Sequence, residues 1–463
     1  MINNDTICAV STPPGIGGIA VIRISGNEAI AIADKVWQGK PLNKATSHTA
    51  HLGTIVDEHG EAIDQAVATL FRSPRSFTGE DVVELAVHGS KWIQRELINL
   101  LVRNGCRIAT AGEFTRRAFA SGRIDLAEAE AVADVIASSS RAANRIAMSQ
   151  MRGDFSRRLD SLRNQLLELS SLLELELDFS EEDVEFASRK KLLDLANEIH
   201  EVVTKLASTF ATGSAIKDGI PVAIVGETNA GKSTLLNCLL HEERAIVSDI
   251  HGTTRDTIED TIEIGDTLYR FIDTAGLRET TDTIEALGIK RTISKIEDAH
   301  IILWVIDATS DFDKISNTAN NILTHCSREQ NLIVAINKCD IAQDNSTLRN
   351  KLGDILSHDF SMVEISAKNA FGIDQLEHAL SVATQTGQNT TGDIMVTNAR
   401  HYEALTHAGD SIARAIDGLT AGISGDFIAQ DIRETLIHLG EITGTITTQD
   451  ILTSIFSRFC IGK

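Results

Sequence analysis

Gly226-Glu227-Thr228-Asn229-Ala230-Gly231-Lys232-Ser233-Thr234 fits the Gly-x4-Gly-Lys-Ser/Thr phosphate-binding pattern without a gap. The apolar run Val222-Ala223-Ile224-Val225 precedes it, and Leu235-Leu236-Asn237-Cys238-Leu239-Leu240 follows. That order reads as strand, loop and helix, the context the motif requires. Glycines let successive backbone N–H groups curl around phosphate oxygens, and the helix N-terminus adds partial positive charge. Lys232 is placed to reach the β- and γ-phosphates, and the Ser233 hydroxyl to take a position on Mg2+. For the loop alone, the plain alternative is a glycine-rich turn before a helix.

The partners of such a loop follow in order. Asp273-Thr274-Ala275-Gly276 lies after an apolar run; Asp273 can hold Mg2+ through water, and the Gly276 N–H can sense a γ-phosphate. Within Ser248-Asp249-Ile250-His251-Gly252-Thr253-Thr254-Arg255-Asp256, Thr254 takes the position of a switch threonine that caps the Mg2+. Asn337-Lys338-Cys339-Asp340 ends another strand candidate. The Asp340 carboxylate can accept from N1–H and N2–H of guanine, whereas adenine offers an acceptor at N1 and is repelled. Ser366-Ala367-Lys368 then supplies a backbone donor for the guanine O6. Together these predict a Ras-type GTPase domain. One position departs from Ras-like switches: the residue after Asp-Thr-Ala-Gly is Leu277, where a glutamine would orient the attacking water. Another group must therefore position water and offset transition-state charge.

The whole chain has 463 residues, enough for about three domains. With 42% hydrophobic residues and 5 prolines it is expected to fold around real cores. Lys and Arg number 43 against 65 Asp and Glu, a net charge of −22, so any nucleic-acid contact needs a local basic patch. The 6 cysteines (Cys8, Cys106, Cys238, Cys326, Cys339, Cys460) show no metal spacing and fit a reducing compartment. The chain lacks both an apolar run of about 20 residues and a basic N-terminal start, so a cytoplasmic protein without a membrane span is expected.

Residues 1–122 read as mixed α/β. Strand candidates fall at 6–10, 19–24, 66–71 and 82–87, and a helix candidate at 92–103 is closed by Asn104-Gly105. Residues 123–215 turn helical, and glycine nearly vanishes apart from Gly153. Arg141, Arg145, Arg152 and Arg163 fall near one angular position on a continuous helix, a basic stripe or simply a solvated face. Residues 216–385 alternate strand and helix, with strands expected at 222–225, 257–264, 268–272, 301–306, 332–336 and 362–365, mostly parallel. Helical character returns over 386–463. The economical arrangement is an α/β P-loop domain inserted into one helical domain.

Asn229 in the phosphate loop, the Gly252-Thr253-Thr254-Arg255-Asp256 switch and Asp273-Thr274-Ala275-Gly276-Leu277-Arg278 resemble the MnmE (TrmE) family of tRNA-modification GTPases. So do Asp5-Thr6-Ile7, Pro13-Pro14-Gly15-Ile16-Gly17-Gly18, Ser76-Phe77-Thr78-Gly79-Glu80-Asp81 and Phe459-Cys460-Ile461-Gly462-Lys463, and the resemblance covers essentially the full chain. It implies a K+-activated GTPase whose G domains dimerise. Asn229, Ser248, Ile250 and Thr253 would be K+ ligands, Ser233 and Thr254 Mg2+ ligands, and Glu285 the glutamate that organises water. The GTP contacts would come from 229–234, 248–254, 273–276, Asn337, Lys338, Asp340 and 366–368. The resemblance also makes the N-terminal domain an α+β folate-binding and dimerisation domain, with Arg23, Glu80, Arg123 and Lys463 holding a reduced folate of the 5-formyl- or 5,10-methylene-tetrahydrofolate type. Arginine and glutamate suit such a ligand: a pterin ring presents a guanine-like donor edge, and the glutamyl tail needs cations. Arg123 stands where lysine is also expected in relatives, keeping the charge but changing the geometry. The resemblance also implies a reactive thiol at Cys460, although most lone cysteines are inert.

The implied activity is GTP hydrolysis coupled, with the FAD-containing partner MnmG, to installing a carboxymethylaminomethyl or aminomethyl group at C5 of the tRNA wobble uridine. The protein would work as a homodimer. One alternative is a regulatory or ribosome-assembly GTPase without modification chemistry; another is a folate-dependent one-carbon transferase with a vestigial G domain. The intact Lys232, Ser233, Asp273 and Asp340 argue against the second.

Overall fold

The computed structural model describes residues 5–178, 189–227, 229–243, 260–272, 296, 299–327, 330–342, 345–356, 360–385, 394–457, 459, 460 and 462. The chain divides into two compact units. One comprises Met1–Ala137, Ala147–Thr204 and Glu403–Lys463; the other comprises Ser138–Ile146 and Lys205–Tyr402.

The first unit begins with β1 (Ile7–Val10), β2 (Gly17–Ser25), α1 (Ala29–Lys35), β3 (Trp37–Gly39), β4 (Thr49–Val56), β5 (Ala62–Phe71), β6 (Val82–Gly89), α2 (Lys91–Arg103), β7 (Arg107–Ile108) and α3 (Glu113–Ala120). The strands form one sheet in the order β3-β4-β5-β6-β2-β1-β7. Every pairing is antiparallel except β7, which runs parallel to β1. Alternate residues such as Ala20, Ile22, Ile24, Ala66, Ala68 and Leu70 join Ile32, Leu97 and Leu101 from α1 and α2 in one core, as period-two strands with one covered face require. The other face leaves Leu52, 67% exposed, opposite Val67 across the β4–β5 ladder.

The helices α4 (Leu126–Ala137), α5 (Arg141–Met151), α6 (Asp154–Asp178) and α7 (Arg189–Ser208) follow. Here the basic stripe needs correction. Gly153 has φ 77 and separates α5 from α6, a conformation that glycine alone adopts cheaply. A Cβ there would also lie 2.6 Å from Glu128 Oε1. Arg141 and Arg145 therefore sit on one helix and Arg163 on another, with Arg152 in the turn, so a single 3.6-residue period does not relate them.

The second unit contains α8 (Phe210–Asp218), β8 (Ile220–Val225), α9 (Lys232–Glu243), β9 (Asp260–Ile264), β10 (Thr267–Phe271), β11 (Ile301–Asp307), α10 (Phe312–His325), β12 (Asn331–Asn337), α11 (Ser346–Ile355), β13 (Phe360–Glu364) and α12 (Ile373–Gln385). The sheet order is β13-β12-β11-β8-β10-β9, parallel throughout except for the β9–β10 hairpin, which turns at Gly265. Both faces are covered: Val222, Ile224, Leu303 and Val305 pack with α9 and α12, while Ala223, Val225, Trp304 and Ile306 pack with α10 and α11. Burial on both sides is why these strands read as unbroken apolar runs.

The first unit is completed by most of α13 (Ala399–Ala421), by α14 (Gly425–Thr443) and by α15 (Gln449–Phe456). Leu159, Leu162, Leu166 and Leu169 of α6 and Ile428, Ile432 and Leu439 of α14 are buried at helical spacing where these two helices pack. Phe456 and Phe459 join Leu126 and Ala129 in a separate cluster. Beyond them the chain passes β1: Ser11 Oγ donates to the carbonyl of Gly462 at 3.1 Å. A Cβ at Gly462 would lie 2.3 Å from the carbonyl oxygen of Val10.

Candidate functional site

The phosphate loop leaves β8 at Gly226, whose φ is 147 and whose Cβ would lie 2.2 Å from the carbonyl oxygen of Val305. No side chain fits there without moving β11. Gly231, with φ 94, is equally constrained: a Cβ would come within 2.2 Å of Asn337 Nδ2. Between them the exposed Asn229 has φ 67, a left-handed conformation that asparagine tolerates better than most residues. Lys232 opens α9, and its Nζ donates to the carbonyls of Gly226 at 2.8 Å and Glu227 at 2.7 Å. The ammonium is thus folded over the loop it serves. Ser233 is half-buried and Thr234 exposed on the first turn of the same helix.

Two further loops converge on this one. Asn337 ends β12 and is 3% exposed. Its Nδ2 donates to the Ala230 carbonyl at 2.8 Å, and its Oδ1 accepts from the Ala367 N–H at 3.0 Å. Ser366 is buried, Lys368 exposed, and the Cys339 N–H bonds the Ile365 carbonyl at 3.2 Å. The exposed Asp340 takes a hydrogen bond from Asn369 Nδ2 at 3.1 Å. Asn229–Thr234, Asn337–Asp340 and 366–368 therefore meet at the C-terminal ends of parallel strands, where open α/β sheets hold ligands.

Asp307 is a member of this region that motif reading missed. β11 and β12 pair with Asp307 opposite Asn337, which sets the carboxylate beside the next residue, Lys338. Lys338 has φ 65, and its Nζ lies 2.6 Å from Asp307 Oδ2. Burial pushes the Asp307 carboxyl up, but Lys338 and the Thr309 hydroxyl and N–H outweigh it and hold it below the usual aspartate range. An acidic residue at the end of a strand, one strand from an Asn-Lys-x-Asp motif, was the available signal.

Ser248, Asp249, Ile250, His251, Gly252, Thr253, Thr254, Asp273, Thr274, Ala275, Gly276, Leu277, Glu285 and Lys463 lie outside the described residues.

A second cluster gathers in the N-terminal sheet unit. The Arg23 guanidinium lies 5.4 Å from the Phe77 ring centre and 5.6 Å from that of Phe114, while its Nη2 pairs with Glu84 Oε1 at 2.8 Å. Glu80 accepts from Ser25 Oγ at 2.7 Å and from Arg117 Nη1 at 3.1 and 3.2 Å. Arg123 is exposed, and a Cβ at the neighbouring Gly79 would lie 3.2 Å from its Cγ. Arg23 and Arg123 thus flank the 76–81 loop that carries Glu80. Behind them Arg107 and Arg117 hold Glu113, which is 2% exposed. Burial would raise the Glu113 carboxyl, and hydrogen bonds from Arg107, Thr110 and Arg117 overcome this to hold it at about 2.

The architecture and the converging loops define a P-loop nucleotide-binding protein of the Ras-like α/β type. The profile described as “GTP-binding protein TrmE N-terminus” matches residues 6–123, and the one described as “MnmE helical domain” matches residues 126–460. The chain belongs to the MnmE/TrmE family. It is 52% identical to the protein named “tRNA modification GTPase MnmE” of Bacteroides fragilis, covering 100% of both chains. It is 50% identical to the protein of that name in Parabacteroides distasonis, over 99% of this chain and 100% of the relative. The Flavobacterium johnsoniae protein of that name is 48% identical, again over 100% of both.

Proposed function

We propose that this chain is a tRNA modification GTPase activated by K+, acting as a homodimer in the cytoplasm with an FAD-containing MnmG partner to build an aminomethyl-type group at C5 of the wobble uridine. GTP hydrolysis is the activity carried by its family. The observation that supports the nucleotide site most directly is Asn337, which links the phosphate loop to the 366–368 loop in a chain that aligns end to end with the named relatives. In this reading Lys232 releases the carbonyls of Gly226 and Glu227 to meet the β- and γ-phosphates. Asp340 reads the guanine edge, and the Ala367 and Lys368 backbone faces O6.

Ser233, with Thr254, would hold Mg2+. Asn229 fits a monovalent cation site: its left-handed backbone presents an exposed amide side chain on the loop, and hard cations take oxygen ligands. Ser248, Ile250 and Thr253 would complete that set, and Glu285 would orient the water. A cation held there supplies positive charge beside the β/γ-phosphates, compensating for Leu277.

Arg23, Glu80, Arg123 and Lys463 would hold a reduced folate as the one-carbon donor. The stacked Arg23 and the carboxylate of Glu80 suit a flat heterocycle with a donor edge. The open sheet face carrying Leu52 and Val67 suits the constitutive dimer contact. The working division is 1–122 for folate binding and dimerisation, 123–215 and 386–463 for the helical domain, and 216–385 for the G domain. Among the described residues, no helix is long and apolar enough to cross a membrane.

GTP turnover by the full-length protein in K+ and in Na+ tests the cation reading. Faster turnover in K+ is expected, and equal slow rates in both would remove it. A wobble-uridine modification assay with and without the partner separates this function from a regulatory GTPase.

A further inference from the structure

We propose that Arg117 is the positioning residue for the Glu80 carboxylate, a role that rests on the folate reading of Arg23, Glu80 and Arg123. Arg117 lies on α3 with 6% of its side chain exposed. Its Nη1 donates to both oxygens of Glu80 and, at 2.8 Å, to the backbone carbonyl of Asp5. Its Nη2 donates to Asp5 Oδ1 at 2.8 Å and Glu113 Oε1 at 3.2 Å. One guanidinium thus joins the start of the chain, the 76–81 loop and α3. Planar, forked donors of this kind fix direction as well as charge.

The three carboxylates are not equivalent. Asp5 and Glu113 each contact both Arg107 and Arg117, whereas Glu80 has Arg117 as its one cationic partner among the described contacts. Ser25 Oγ bonds Glu80 Oε2 and also shares a 2.7 Å contact with Thr78 Oγ1. The Glu80 backbone is fixed as well, since its carbonyl accepts from Ser76 Oγ at 2.6 Å and its N–H donates to Thr78 Oγ1 at 3.3 Å. Of the three, Glu80 is the one on the 76–81 loop beside Arg23 and Arg123, and these contacts hold it in one orientation before a ligand arrives. A glutamate otherwise loses considerable rotamer freedom on binding, and preorganisation removes that cost. The ligand class this favours is a 2-amino-4-oxo heterocycle, whose ring N–H and amino group meet one aimed carboxylate.

Calorimetric titration of the full-length protein with 5-formyltetrahydrofolate and with its 2-desamino-2-methyl counterpart tests this. The wild type should prefer the 2-amino compound. Arg117→Gln should weaken 5-formyltetrahydrofolate by about 10- to 100-fold and collapse the preference between the two compounds. Arg117→Lys should recover part of both, and thermal melting of each variant reports that it is folded. Arg117→Gln with wild-type affinity and preference would overturn the proposal. An equal loss for both compounds would also overturn it, because that marks a merely structural role. If Arg117→Gln does not fold, Arg117→Lys with an unchanged preference overturns it in the same way. Failure of the wild type to bind either compound would instead remove the folate reading itself.

Discussion

Asn337 Nδ2 and the carbonyl oxygen of Ala230 lie 2.8 Å apart in a buried contact between β12 and the phosphate loop. The same carboxamide accepts from Ala367, so one side chain sets the spacing between the 226–234 and 366–368 loops. Asn337→Ala should leave a buried carbonyl and a buried N–H unpaired at about 1–3 kcal/mol each. Guanine nucleotide affinity should fall at least about tenfold for GDP and GTP alike. Fluorescent-nucleotide titration and thermal melting read the two effects, and unchanged affinity would show that the loops keep their spacing without it.

Gly226→Ala should abolish nucleotide binding more completely than removing any contact. Its Cβ would meet the Val305 carbonyl at 2.2 Å, and neither backbone can yield without disturbing the β8–β11 pair. Destabilisation of about 2 kcal/mol or more is expected from overpacking. Melting of the nucleotide-free protein separates this from a simple loss of ligand.

Asp307→Asn should free Lys338 from its 2.6 Å partner and weaken guanine nucleotides by about three- to tenfold, the pair being partly exposed. Because the Asp307 carboxyl sits below its usual range in the folded protein, its stabilising contribution is complete above the ordinary aspartate range and disappears as pH falls through the lowered value. Equal affinities for wild type and variant would rule out a role in placing Lys338.

Glu113 gives a sharper acid response in the N-terminal unit. Its folded value of about 2 lies below the usual 4.5, so the stability it contributes is fully present above about 4.5 and is lost as pH drops from there through about 2. Glu113→Gln should cost about 3 kcal/mol at neutral pH by leaving Arg107 and Arg117 without it. Its stability should also respond less to acid across that window. Chemical denaturation at several pH values measures both, and parallel curves for variant and wild type would refute the assignment.

Leu52→Asp places a charge in the open face of the N-terminal sheet, opposite Val67. For the proposed homodimer, a shift from dimer to monomer in sedimentation, with little change in monomer stability, is the expected result. A variant that remains dimeric would move the contact elsewhere.

The Ras-like unit was legible because its strands are buried on both faces and read as apolar runs, each ending at a motif loop. The boundaries at β8, β11, β12 and β13 differ from the sequence expectation by only a few residues. β4 was missed because the apolar members of Thr49-Ala50-His51-Leu52-Gly53-Thr54, Ala50 and Leu52, face solvent, and its core contacts come mainly from Ile55. The basic stripe failed for a different reason, since helical periodicity extends through Gly153 on paper while the chain turns there. Asp307 offered only a weak signal, an acidic residue at a strand end, and Arg117 none. Their partners come from strand register and from segments far away in sequence.

The passage of Gly462 beside Val10 and Ser11 sets an order on biosynthesis. A ribosome releases β1 long before Gly462, which follows Ser11 by 451 residues. Domains generally fold as units during synthesis, but this contact can close only after the intervening helices and the nucleotide-binding unit have emerged. Closing a contact between residues so distant in sequence is slow. The N-terminal sheet therefore gains this contact only after the nucleotide-binding unit has left the ribosome.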